Sequence, residues 1–402
     1  MIKVLANRSA QIVIILTVYV LVADSIPTQI QKLLYTISLQ IKEILIWIMP
    51  ITICAFISNT VRKFEKQALI FILSLLFFES TSNFCAVWYA YLSAGITSSF
   101  MPPVSPANEF TTTFTSLWQT SYPKPWWWSA DKGAFVGILL GCLGAFYQRK
   151  SLNNIINYSH EIMEWVLVRV FAKLIPLFIL GFAVHIYQTK LLDHVISHYA
   201  SLIFWLGIFL LIYILLLFTL SAGISMPNII THIKNLLPAG MVALTSGCSL
   251  STMPWTIDGA SKNLQNPSLA KVIIPATTNI QQIGDCIVNS FLCYLIYTDF
   301  FDHTPDIYIW AKFTVVFVLA RFLTAAVIGG SIFIMLPIYE TYLGFNNEMI
   351  AIILALNVVL DPIVTSSNVL ANGALCRVFE RFWNWLQVTL YKKQNEVIVE
   401  PD

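Results

Sequence analysis

Apolar runs near 20 residues recur along the chain at about 10–25, 37–60, 68–95, 134–148, 160–187, 200–224, 270–297 and 348–374. A helix of roughly 20 apolar residues crosses the ~30 Å hydrocarbon core of a bilayer, so each run predicts a transmembrane helix. Two further apolar segments, 237–264 and 309–341, are interrupted by small residues and by Pro or Gly. They predict re-entrant elements, because non-helical backbone at membrane depth survives only where protein or a water-filled cavity surrounds it. The predicted class is an all-α polytopic membrane protein.

Composition strengthens this reading. Of 402 residues, 57% are hydrophobic and 11% charged, against about 25% charged in soluble domains. Several spans exclude a signal peptide followed by a soluble domain. A net charge of +2 does not suggest a nucleic-acid partner. The seven Cys, including Cys54 and Cys142, are scattered with no CxxC spacing and read as inert buried thiols. Basic residues orient the chain. Lys3, Arg8, Arg62, Lys63, Lys66, Arg149, Lys150, Arg377, Arg381, Lys392 and Lys393 fall on one side if both termini are cytoplasmic and the interrupted segments turn back. The loop 96–133 then faces out, with Trp126, Trp127 and Trp128 in the interfacial belt. The stretch 376–395 is expected to be an amphipathic cytoplasmic helix.

Polar side chains within spans are costly and mark function. Asn357, Asp361, Thr365, Asn368 and Asn372 recur every three or four residues in the last span. They form one helix stripe of about four turns, roughly 22 Å. A bundle-core hydrogen-bond set is the bland reading, but five members including an ionisable Asp favour a site. The segment 271–292 carries Pro275, Thr277, Thr278, Asn279, Gln281, Gln282 and Asp285 and predicts a broken helix around Asn279. The interrupted segments carry small-residue tips, TSGCSLSTMP at 245–254 and TAAVIGGS at 324–331. Glu79 and Arg321 are further interior charges that need a partner or water. Lys173 and His185 read as snorkelling or interfacial.

Taken together, these motifs resemble the glutamate transporter family, the dicarboxylate/amino acid:cation symporters. IWIMPITI at 46–53 is similar to its Met-Pro helix, CSLSTMP to the serine-rich first hairpin tip, and PATTNIQQIGD at 275–285 to its broken helix. TAAVIGGS is similar to its second hairpin tip and LDPIVTSSNVLANG at 360–373 to its last span. The resemblance implies eight transmembrane helices plus two re-entrant hairpins in an elevator fold. Residues 1–66 would form scaffold spans one and two, 67–98 span three of a transport domain, 99–133 an outer loop and 134–196 scaffold spans four and five. Residues 197–376 would complete the transport domain and 377–402 form a cytoplasmic helix and tail. A homotrimer in a bacterial inner membrane, importing an amino acid or dicarboxylate with Na+ or H+ and no other cofactor, follows from the same resemblance.

By the resemblance, Asp361, Thr365, Asn368, Val364, Cys248, Ser249 and Arg321 bind substrate. Asn279, Thr277, Gln281, Asn372, Asn357 and Glu79 belong to cation sites, and Gly329, Gly330 and Thr324 to the gate. Val364 stands where acidic-substrate members carry Arg, which favours a neutral side chain unless Arg321 supplies the charge. Gln281, Asn357 and Asn372 stand where the family has sodium-site carboxylates, and uncharged oxygens hold a cation more weakly. Proton coupling through Glu79 or Asp285 is the resulting expectation, and a guanidinium standing in for a cation is the expectation for Arg321. An exchanger or channel on the same fold is the competing function. A membrane enzyme would need an activated nucleophile, and Ser249 and Ser251 have no His nearby in sequence.

Overall fold

The computed structural model describes residues 18–19, 21–62, 69–100, 114–118, 125, 127–128, 130–147, 149–189, 191–247, 249–278, 280–324 and 331–397. Every regular element among them is helical. Helix α1 spans Thr28–Arg62, α2 Leu69–Phe100 and α3 Ala130–Tyr147. Helix α4, Lys150–Trp165, passes through a π-helical stretch, Val166–Phe171, into α5, Ala172–Gln188. Then come α6 Leu191–Ala222, α7 Met226–Ser246, α8 Ser249–Asn263, α9 Ala270–Thr277 and α10 Ile283–Phe301. Helices α11 Ile307–Thr324, α12 Ser331–Leu343 and α13 Asn347–Val397 complete the order.

Apolar length alone makes two helices, Thr28–Asn59 and Ser201–Ala222, able to cross a membrane, and two bent pairs raise this to four. The eight simple spans expected from the runs are therefore not all present as unbroken helices among the described residues. The run at 160–187 differs most. It bends by 54° between Lys150–Phe171 and Pro176–His185. Pro176 has no N–H for the carbonyl four residues back, and the π stretch just before it absorbs the misfit. Helix α13 bends by 62° between Asn347–Asn357 and Val359–Thr389. Pro362 lies one turn after that bend and has the same effect on the carbonyl of residue 358.

Two sets of contacts organise the bundle. Helix α1 packs against α3, α4 and α5. Helices α2, α6, α7 and α8 gather with α10 and α13, and α11 pairs with α12. The sets touch where α13 meets α5 and where α11 and α12 meet α1. There the buried Lys42 of α1 bonds Glu340 at 3.1 Å and donates to the Asn347 side chain at 2.6 Å. Trp128 Nε1 donates to the Trp47 carbonyl at 2.7 Å, so this Trp is tied to α1. His185 is buried and stacked on Tyr35 at 4.5 Å, unlike the interfacial position expected, whereas Lys173 is exposed.

The expected C-terminal amphipathic helix is the continuation of α13 without a break, a helix of 51 residues. Its charges hold it to the bundle. The Glu380 carboxylate is buried, pairs with Arg377 and accepts the backbone N–H groups of Gln265 and Asn266 at 3.0 and 2.7 Å. Arg381 donates to the carbonyls of Leu220 and Ser221, both at 2.9 Å, which satisfies acceptors left open at the end of α6. Glu380→Leu strands a cation and two N–H groups, and loss of one partner of a buried pair costs about 3 kcal/mol. A clear fall in the melting temperature of the detergent-solubilised variant is expected; an unchanged melt would show that this brace carries no weight.

Candidate functional site

The predicted broken helix is present. Helix α9 ends at Thr277 and α10 starts at Ile283. Local chemistry favours the break. Thr278 turns its hydroxyl back onto the Ile274 carbonyl at 2.6 Å, and the Thr277 hydroxyl lies 2.9 Å from the Ile273 carbonyl. Such back-bonding competes with the helix ladder. Gln282, with φ −135 and ψ 58, is clearly non-helical. The backbone freed here needs partners, and Asn83 of α2 provides two. Its side chain donates to the Ile280 carbonyl at 2.8 Å and accepts the Gln282 N–H at 3.1 Å.

The other side of the break is closed by α13. Asn368 Oδ1 accepts the N–H groups of Gly284 and Asp285 at 2.8 and 3.3 Å and so caps α10. A Cβ on Gly284 would stand 2.5 Å from the Val364 carbonyl, so only glycine allows this approach. Asp285 is a hub. Its carboxylate accepts from Asn368 Nδ2 at 2.8 Å and Asn289 Nδ2 at 3.3 Å, and lies 3.5 Å from Arg321 Nη1. Arg321 is fully buried, donates to Gln282 Oε1 at 3.0 Å and lies over the Phe317 ring at 4.2 Å. This buried cation therefore faces a carboxylate, an amide oxygen and a π face.

The stripe on α13 meets these elements along its length. Asn357 donates to Asn289 Oδ1 at 2.6 Å, and the Thr277 hydroxyl shares its one proton between the Ile273 carbonyl and Asn372 Oδ1, at 2.9 and 2.8 Å. Thr365 and Val364 are buried between them, and Asp361 is half-buried. In the first interrupted segment α7 ends at Ser246, with Gly247 as a left-handed cap at φ 59, and α8 begins at Ser249. Cys248, Asn279, Gly329 and Gly330 lie outside the described residues. Thr324 is the last residue of α11.

Several buried side chains carry polar atoms without a hydrogen-bond partner among the described residues, Ser290 and Tyr339 among them. Glu79 Oε2 and both amide atoms of Gln281 have no hydrogen-bond partner among the described residues. Glu79 lies on α2 one turn before Asn83, and Gln281 sits between the two backbone groups that Asn83 holds. The structure thus gathers Thr277, Asn357, Asn368 and Asn372 with the helix break, and adds Asn83, Gln282 and Asn289 as partners. Asn83 and Asn289 were not singled out from sequence. The signal for Asn83 was its place four residues after Glu79, on the same helix face.

A sequence model described as the Sodium:dicarboxylate symporter family matches residues 133–382, more than half of the chain. The match takes in the hairpins, the helix break and the stripe, and leaves out Glu79 and Asn83. No curated protein matches the chain.

Asn83→Leu removes both bonds to the break. Each buried group left unsatisfied costs about 1–3 kcal/mol. Hydrogen exchange should therefore speed up selectively at 280–286, while α1 and α3 keep their protection; uniform exchange across the chain would contradict the clamp.

Proposed function

We propose, on the premise that this chain belongs to the Sodium:dicarboxylate symporter family, that it is a secondary active transporter importing amino acids or dicarboxylates on a cation gradient, Na+ or H+. Members of that family are membrane transporters, and the family name implies sodium as coupling ion. The observation that carries the finer reading is the junction of the α13 stripe with the helix break through Asn368, Gly284 and Asp285. Broken helices facing a polar stripe are how transporters expose backbone dipoles to a substrate near mid-membrane.

In this reading Asp361 receives the substrate's amino group. Asn368, Thr365 and Val364 line its path, with Ser249 and Cys248 from the first hairpin. Arg321 either balances Asp285 or meets an acidic substrate. Thr277, Asn279, Gln281, Asn357, Asn372 and Glu79 form the coupling region. Thr324, Gly329 and Gly330 belong to the second hairpin, which gates the site. Packing of α1 with α3, α4 and α5 supports a scaffold, and packing of α2 with α6, α10, α11 and α13 supports a moving domain of an eight-span trimeric elevator. The Lys42 bonds to Glu340 and Asn347 would then join the two.

One observation favours a second reading, an exchanger of neutral amino acids. The side-chain oxygen of Asn289 already accepts from Asn357, and Asn372 Oδ1 lies 2.8 Å from the Thr277 hydroxyl. Oxygens so engaged are poorer ligands for a hard cation.

Purified protein in proteoliposomes, offered labelled serine, aspartate and succinate under separately imposed sodium and proton gradients, tests both. Concentrative uptake of at least one compound is expected, and Asp361→Asn should lose serine and aspartate while sparing succinate. Exchange without accumulation would support the second reading. No movement of any compound would overturn both.

A further inference from the structure

We propose that Arg321 is a tethered cation of the helix break: its guanidinium permanently holds the place at the head of α10 that a bound monovalent cation would otherwise take. This deepens the transport reading above and rests on it for its meaning in a coupled cycle. The observation that carries it is one nitrogen facing two oxygens. Arg321 Nη1 donates to Gln282 Oε1 at 3.0 Å and lies 3.5 Å from Asp285 Oδ1. Gln282 is the non-helical residue at the end of the break, and Asp285 stands in the first turn of α10. A carboxylate oxygen and an amide oxygen converging on one point are ligands that a hard cation takes. Here that point is filled by a side chain from another helix, α11.

The surroundings suit a guanidinium. Arg321 and Asp285 are both buried. Phe317, one turn earlier on α11, places its ring 4.2 Å from the guanidinium carbon, a contact that attracts a cation to the π face. A guanidinium is weakly hydrated, so it enters such a site at lower cost than an ammonium, and it stays charged at any working pH. The charge at this place is therefore fixed.

Sodium, which the family name implies, fits the same place poorly. It needs several oxygens free to converge on it. The Asp285 carboxylate already accepts from the amides of Asn289 and Asn368. Asn368 Oδ1 caps the N–H groups of Gly284 and Asp285, and Asn289 Oδ1 accepts from Asn357. The one formal negative charge of this group is on Asp285, and Arg321 balances it without an added ion.

A mechanical consequence follows. Arg321 lies on α11, which leads into the second interrupted segment, and its bonds join that helix to the break. A free ion could leave and release the joint, whereas a covalently held charge stays. Arrival or departure of a coupling ion therefore acts elsewhere in the chain than at the head of α10.

Thermal melts of the purified full-length protein in detergent at pH 8, in sodium chloride or in choline chloride of equal ionic strength, test this. Arg321→Met removes the charge and leaves Asp285 and Gln282 facing a place open to an ion. Its melting temperature should lie below that of wild type in choline. In sodium it should rise by about 2 °C or more beyond any rise in wild type, because an ion that binds the folded state stabilises it. Arg321→Lys keeps a tethered charge and should show no such gain. Adding Asp285→Asn to Arg321→Met removes the charge that the ion balances and should abolish the gain. The proposal is overturned if Arg321→Met gains nothing from sodium or folds in neither salt. A gain that persists in the double variant, or one as large in Arg321→Lys, also overturns it. None of these melts depends on transport. If they behave as expected while no compound moves in the proteoliposomes, the transport reading fails and the tethered cation stands. If uptake occurs and Arg321→Met ignores sodium, the tethered cation falls and the transport reading stands.

Discussion

Backbone polar groups released inside a membrane have no water to turn to, and the break between α9 and α10 is organised by that requirement. Two asparagines meet it from opposite sides. Asn83 on α2 takes up Ile280 and Gln282, and Asn368 on α13 takes up Gly284 and Asp285. Each can do so only if its helix is pressed against the break. Gly284 lets α13 come that close, since a side chain there would strike the Val364 carbonyl. The packing of α2 and α13 around α10 and the geometry of the candidate site are thus one constraint.

Interior charge is arranged by the same logic. Asp285 and Arg321 neutralise each other at the head of α10, within a shell of amides from Gln282, Asn289 and Asn368. Glu380 and Arg377 do so beneath the first hairpin, where the carboxylate also holds the chain entering α9. Buried pairs of this kind add little net stability but strongly penalise any arrangement that separates them. They select one packing of the helices. Glu79 differs from Asp285 in that its Oε2 has no hydrogen-bond partner among the described residues.

Family membership and the residues agree on the class of protein and diverge on detail. Where the resemblance implies sodium-site carboxylates, this chain has Gln281, Asn357 and Asn372, two of which are hydrogen-bonded to Asn289 and Thr277. Coupling in this chain need not follow the ion in the family name.

The sequence by itself determined the all-helical membrane class, the two interrupted segments, the broken helix and the polar stripe on α13. These are legible because a polar or helix-breaking residue within an apolar run is costly wherever the helix packs, so Asn357 to Asn372 and Thr277 to Gln282 stand out without knowledge of neighbours. The sequence did not reveal the bend before Pro176, the unbroken course of α13 past Cys376, the burial of His185 against Tyr35, or the clamp at Asn83. Those outcomes depend on which face a helix presents and what meets it there. Asn83 meets its partners across 197 residues of chain, and Arg321 meets Asp285 from another helix. Only the tertiary structure decides such contacts, because side-chain pairing follows proximity in space, and neither spacing nor composition encodes that for residues so far apart.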